Sequence, residues 1–301
     1  MKRRGLKWEL AQTKKAFLVY GQGWRYIFSK FFLAKKILTV KKTWSSQTTA
    51  ELSIHVLACS RDFIMLLWAL QSFFTFFVRP FQFFIHNDGT LTIGQINILK
   101  KFFPNFILVA PDELLNNYQQ VLNSQPIIKN FLTEHPEYYL MKKIVDPYFV
   151  SDKKNILVID SDILWFQTPS ELLTALNEDL PSTLMMWSPL PGPVYFKDGT
   201  GLTEELSHHN SGVVLYRRDN FDLTVLADYL ARVDIKHPNN FQFIEEGGFA
   251  TCLKKITSLS KERYIIKGAV NEQTVARHYT SPRRPGFYLE GLPRLIKIFN
   301  I

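Results

Sequence analysis

The sequence predicts an α/β fold, with a mostly parallel central sheet flanked by helices and a basic helical extension before it. Three observations carry this prediction. Short β-prone runs alternate with helix-length stretches from residue 53 to residue 171, the order expected when each strand returns to one sheet through a helix. The run Ile156, Leu157, Val158, Ile159 stands directly before two carboxylates, Asp160 and Asp162, as a buried strand ending at a polar crevice would. Finally, 46% of the 301 residues are hydrophobic, ample for a large buried core.

The elements follow in order. Residues 1–50 form the extension and residues 51–301 the main domain. Ser53 to Cys59 reads as the first strand. Residues 63–77 read as a buried helix, because the run is shorter than the roughly 18–20 apolar residues a membrane span needs and Gln71, Ser72 and Thr75 interrupt it. A second strand over 81–85 closes in the turn-rich His86 to Thr90, and a helix over 91–103 leads to a third strand over 106–109. After the acidic strand, Thr168, Pro169, Ser170 and Glu171 mark a helix start. From Pro189 the chain turns irregular, and Asn210-Ser211-Gly212 reads as a turn before a short strand over 213–216. Helices follow over 222–233 and 244–256, the second opening on Glu245 and Glu246, where the helix dipole favours acidic side chains.

Charge is unevenly spread. Residues 1–43 hold twelve Lys or Arg against Glu9 alone, a balance of +11 in a chain of net +9, so the rest stands at −2. A near-neutral body argues against nucleic acid as a partner. Within the extension, Trp24, Ile27, Phe28, Phe31, Ala34 and Leu38 follow helical spacing, with Arg25, Ser29, Lys30 and Lys36 mostly opposite. Two readings fit: a face for an anionic membrane surface, or a helix docked on the protein's own core. Recurrent Lys and Arg exclude a signal-peptide h-region. The two cysteines, Cys59 and Cys252, both sit in apolar segments, which points to free thiols and a cytoplasmic location, peripheral to the membrane if the extension binds one.

Two carboxylates at the end of a buried strand need compensation, since desolvating a lone carboxylate is costly. A divalent ion such as Mn2+ or Mg2+ would supply it while leaving positions for a substrate's phosphates. In parallel sheets ligands gather beyond the strands' carboxyl ends, so the Cys59–Asp62 turn and the Asp160–Asp162 turn should share a crevice. Neither a dinucleotide-type Gly-x-Gly-x-x-Gly after a strand nor a P-loop is present.

Asp160-Ser161-Asp162 followed by Ile-Leu-Trp-Phe-x-x-Pro, together with the strand at Ser53, Asn210-Ser211-Gly212 and Arg277-His278-Tyr279, resembles nucleotide-sugar-dependent glycosyltransferases of the GT-A fold. The likeness is to the glycogenin-like and bacterial hexosyltransferase groups and runs from about Ser53 to Leu292. It implies a nucleotide-binding half over about 51–166, an acceptor half over 167–301, and transfer from a nucleoside diphosphate sugar to a glycan, lipid or protein acceptor with retention. It further implies Asp160, Asp162 and His278 as metal ligands for Mn2+ or Mg2+, and Asn210, Glu245 and Glu246 facing sugar or acceptor. Ser60, Arg61, Lys142, Ser161, Gly212 and Arg283 are assigned to the donor, with Lys143 beside Lys142; as cations, Arg61 is favoured by its place after the first strand and one of the Arg283–Arg284 pair by its nearness to His278. The sequence departs from the glycogenin-like pattern at Thr280-Ser281-Pro282-Arg283-Arg284, where that group has a Lys in a Gly-containing motif. A sugar nucleotidyltransferase is the alternative, although Ser60-Arg61-Asp62 stands where such enzymes carry a Gly-rich basic loop. A non-catalytic, membrane-docked sugar- or lipid-binding protein is the third reading.

Overall fold

The computed structural model describes residues 4–179 and 182–301, with side chains from residue 7; Lys2 and Arg3 of the basic stretch lie outside the described residues. Its strands are β1 (Leu52–Ala58), β2 (Gln82–Asn87), β3 (Ile107–Val109), β4 (Asn155–Ile159), β5 (Ile163–Trp165), β6 (Thr183–Trp187), β7 (His209–Arg217), β8 (Ile256–Ser258), β9 (Tyr264–Ile265) and β10 (Ala276–His278). The main sheet has the order β3-β2-β1-β4-β7-β6-β8, and a small sheet has the order β5-β10-β9. In the main sheet only β7 runs against its neighbours, so the mostly parallel sheet expected from the sequence is present.

The apolar run of β4 is explained by its burial on both faces. Leu157 and Ile159 join the core beneath helix Phe63–Phe76, while Ile156 and Val158 join the core beneath helices Lys142–Val150 and Asn240–Cys252. Helix Phe63–Phe76 follows β1 as a buried helix with Trp68 and Phe73 wholly inaccessible. No helix among the described residues is long and apolar enough to cross a membrane.

Three local expectations are corrected. Asn210, Ser211 and Gly212 do not form a turn before a strand; they lie inside β7. Pairing with β6 jumps from Val214, opposite Met185, to Asn210, opposite Met186. A bulge of this kind re-aims side chains, and a strand partner far along the chain cannot be read from a local turn signature. Next, the helix expected over 244–256 is Asn240–Cys252, so Glu245 and Glu246 sit in its interior and not at its start. A Cβ on Gly248 would come within 2.7 Å of Ile144, and this small residue lets the helix close on Lys142–Val150.

The third correction concerns the extension. Helix Gly23–Phe31 turns Tyr26 and Ser29 inward, followed by Ala34 and Ile37, while Trp24, Phe28, Phe31 and Leu38 face outward. The side taken inward is the one with small residues that permit close approach and with Tyr26, whose ring meets Tyr288 edge-on at 5.5 Å. Apolar spacing alone picked the outward face together with Ala34.

Candidate active site

β4 ends at Ile159, and the Asp160 N–H continues its ladder to the Gly212 carbonyl of β7 at 2.9 Å. The chain then turns into β5, which pairs antiparallel with β10 so that His278 lies opposite Ile163. The Tyr279 N–H closes the arrangement on the Asp162 carbonyl at 3.0 Å. Two strand ends from distant parts of the chain thus bring Asp160, Asp162 and His278 together, one potential ligand atom from each lying within 4.8 Å of the others. His278 Nε2 stands 3.1 Å from Asp162 Oδ1 and 3.5 Å from Asp160 Oδ2.

Asn210 fixes how His278 presents itself. Its Oδ1 accepts from the Gly212 N–H at 3.0 Å and from His278 Nδ1 at 2.8 Å, while its Nδ2 donates to Glu246 Oε1 at 2.6 Å. With the amide oriented from both ends, Nδ1 donates an imidazole N–H and Nε2 is the nitrogen that faces the two carboxylates, the arrangement that suits a metal-binding histidine. Two carboxylates and a neutral imidazole form a donor set that fits Mn2+ or Mg2+. Gly212 makes this possible: a Cβ there would lie 2.5 Å from His278 Nδ1 and 2.9 Å from Asn210 Oδ1. Gly212→Ala is therefore expected to displace the imidazole and weaken Mn2+ binding by roughly 10–100-fold. Titration calorimetry with Mn2+ checks this, and unchanged affinity would refute the steric role.

Beneath the carboxylates, buried Lys143 reaches Asp160 Oδ1 at 2.7 Å, Ser211 Oγ at 3.1 Å and the Glu245 carboxylate. Burial works against its charge, yet Asp160 and Glu245 together hold the ammonium above its ordinary pKa. Burial raises the pKa of Glu245, with Lys143 opposing, and raises that of Glu246 still further, reinforced by the adjoining Glu245. On the other side Arg284 spans two acids, donating to Asp62 Oδ1 at 2.7 Å and to Asp162 Oδ2 at 3.1 Å. Burial opposes ionisation of Asp162, but His278 and Arg284 hold its carboxyl well below the usual range. Arg61 braces Asp62 through two hydrogen bonds of 3.1 and 3.0 Å.

Of the residues singled out from the sequence, Asp160, Asp162, His278, Asn210, Gly212, Glu245 and Glu246 converge here, with half-buried Ser161 between the two aspartates. Arg61 stands at the end of β1; Ser60 is held there by Thr90, whose hydroxyl accepts from its N–H at 2.8 Å. Two cations are elsewhere. Lys142 donates to the Pro111 carbonyl, and Arg283 donates to Thr280 Oγ1 within its own turn at 2.9 Å. Their neighbours Lys143 and Arg284 enter the site instead. Sequence reasoning missed Asp62 as the acid between two arginines, and it missed Trp8. The Trp8 ring lies 4.9 Å from the Arg61 guanidinium and 5.1 Å from that of Arg284, with Nε1 donating to Ser281 Oγ at 3.4 Å. A lone Trp in a basic extension gave no signal of that contact.

Comparison of the whole structure with solved proteins decides the fold. The galactosyltransferase LgtC, solved in complex with donor and acceptor sugar analogs, superposes with a TM-score of 0.52 over 82% of this chain and 95% of that one, at 12% identity. The bifunctional glycosyltransferase WbbM in its apo form gives a TM-score of 0.52 at 9% identity, covering 86% of this chain and 51% of that one. The chain has the GT-A-like glycosyltransferase fold. No family model matches the sequence, and no curated protein matches it. β1 and β4 pair in parallel, so their carboxyl ends meet the same edge of the sheet, and the Asp160–Asp162–His278 group sits just beyond the end of β4.

Proposed function

We infer that the protein transfers a sugar from a nucleoside diphosphate sugar to an acceptor hydroxyl. The observation that carries this is the meeting of Asp160, Asp162 and His278 at the end of β4, flanked by buried Lys143 and partly buried Arg284. Asp160, Asp162 and His278 would hold Mn2+ or Mg2+, which when bound offsets the charge of the leaving diphosphate. Arg284 and Arg61 supply further positive charge on the β1 side, where the donor's phosphates would lie. The reaction breaks the bond between the anomeric carbon and the diphosphate oxygen, forms one to the acceptor oxygen, and passes the hydroxyl proton to the departing phosphate. That route asks little of a protein base and proceeds with retention, in keeping with a Glu246 carboxyl whose burial favours the protonated form.

Glu245 is buried against Lys143, whereas Glu246 is partly exposed and holds Asn210, which makes Glu246 the acid placed to touch sugar or acceptor. Glu246→Gln is expected to slow turnover by less than roughly 100-fold, the loss that removing a general base would cause. Product NMR accompanies the kinetics: an inverted anomer, with a larger loss, would make Glu246 the base. The reading as a whole is tested by thermal unfolding with nucleoside diphosphates and their sugars plus Mn2+, since a ligand of the native state raises its apparent stability. Stabilisation by one nucleotide sugar, with sugar transfer, supports it. Pyrophosphate exchange with a nucleoside triphosphate would instead favour the nucleotidyltransferase.

A further inference from the structure

Of the seventeen large hydrophobic side chains exposed among the described residues, nine lie between residues 10 and 38, so the apolar surface is concentrated on the N-terminal extension. Helices Arg4–Leu18 and Gly23–Phe31 form a hairpin turned at Gly21, whose φ is +63°, and Gly23 leaves room for the Phe17 ring. The inner side is part of the protein's core, with Ala16, Tyr26, Ala34 and Ile37 wholly or almost wholly buried. The outer side carries Leu18, Val19, Trp24, Phe28, Phe31 and Phe32, each more than half exposed. Phe28 and Phe32 stack on each other at 5.6 Å, and Trp24 meets Phe17 edge-on at 5.6 Å.

We propose that this outer face docks the protein on an anionic lipid bilayer. Charge complementarity selects that occupant. The face is interleaved with exposed Lys14, Arg25, Lys35 and Lys36, and the one acid of the first 43 residues, Glu9, is already paired with Lys30. A second copy of the chain would set one basic face against another, and the remainder of the chain, at −2, offers little to attract it. A bilayer interface takes up both features, burying the rings near the headgroups while anionic lipids meet the lysines. Docking does not depend on the transfer reaction, although Trp8, on the same hairpin, lies over the two guanidiniums beside the candidate donor site.

The experiment is co-sedimentation of the full chain with vesicles of equal parts phosphatidylglycerol and phosphatidylcholine, against vesicles of phosphatidylcholine alone, at low and high salt. The full chain is expected to pellet with the anionic vesicles and to be released by salt. Lys14→Gln/Lys35→Gln/Lys36→Gln should weaken that partitioning roughly 100-fold, since each basic residue near such a surface contributes about a factor of five. Trp24→Ser/Phe28→Ser/Phe32→Ser should weaken it at least roughly tenfold with an unchanged thermal unfolding curve. Equal pelleting of all variants, or no preference for anionic lipid, would overturn the proposal. So would a lipid-free dimer that the serine variant dissolves, since the occupant would then be a second copy.

Discussion

Asp160→Asn and Asp162→Asn are each expected to lower metal-dependent turnover of a nucleotide sugar by at least roughly 100-fold while leaving the fold intact. Each removes one anionic oxygen donor from the group shared with His278 and takes away little packing. The fold should survive because the cations stay engaged: Lys143 keeps Glu245 when Asp160 is changed, and Arg284 keeps Asp62 when Asp162 is changed. Mn2+ binding by calorimetry gives a readout apart from turnover and should fall in both variants. Full activity of both in excess EDTA would sink the metal assignment.

Lys143→Met should have the largest effect on stability. The ammonium is the charge that holds Asp160 and Glu245 beside each other, and methionine keeps an unbranched stem without that charge. Breaking a buried ionic group by removing one partner costs about 3–5 kcal/mol because the other charges stay behind uncompensated. For a domain of this size that corresponds to a drop in Tm of roughly 5–8 °C. Adding Glu245→Gln should restore part of the loss, since one of the two stranded carboxylates is then neutral. A Lys143→Met protein that melts within about 2 °C of the parent would show that the network contributes little.

Parts of this site were legible in the sequence because local chemistry constrains them. An apolar run can end in two carboxylates only where something offsets their charge, and that flagged Asp160 and Asp162 without reference to other residues. His278 came from its likeness to a late histidine in the glycogenin-like group, and the pairing of β10 with β5 supplies the physical reason for its place. The basic partners were legible only to within a pair, Lys142 or Lys143 and Arg283 or Arg284. Lys142 and Lys143 are adjacent on a helix, where each step turns the side chain by about 100°, so one faces Pro111 and the other the site. Charge and sequence position do not distinguish them; helix packing does.

Local residue patterns therefore establish the elements and their burial: β4 apolar on both faces, a buried helix Phe63–Phe76 after β1, and an extension carrying the charge excess. These follow from composition and periodicity, which act over a few residues. Long-range packing sets the bulge that places Asn210 and Gly212 against His278, the choice of Lys143 and Arg284, the inward face of helix Gly23–Phe31, and the contact of Trp8 with Arg61 and Arg284. Each of these depends on strand register, helix rotation or close approach between segments far apart in the chain. Such quantities are set when whole surfaces pack together, and no local run of residues encodes them.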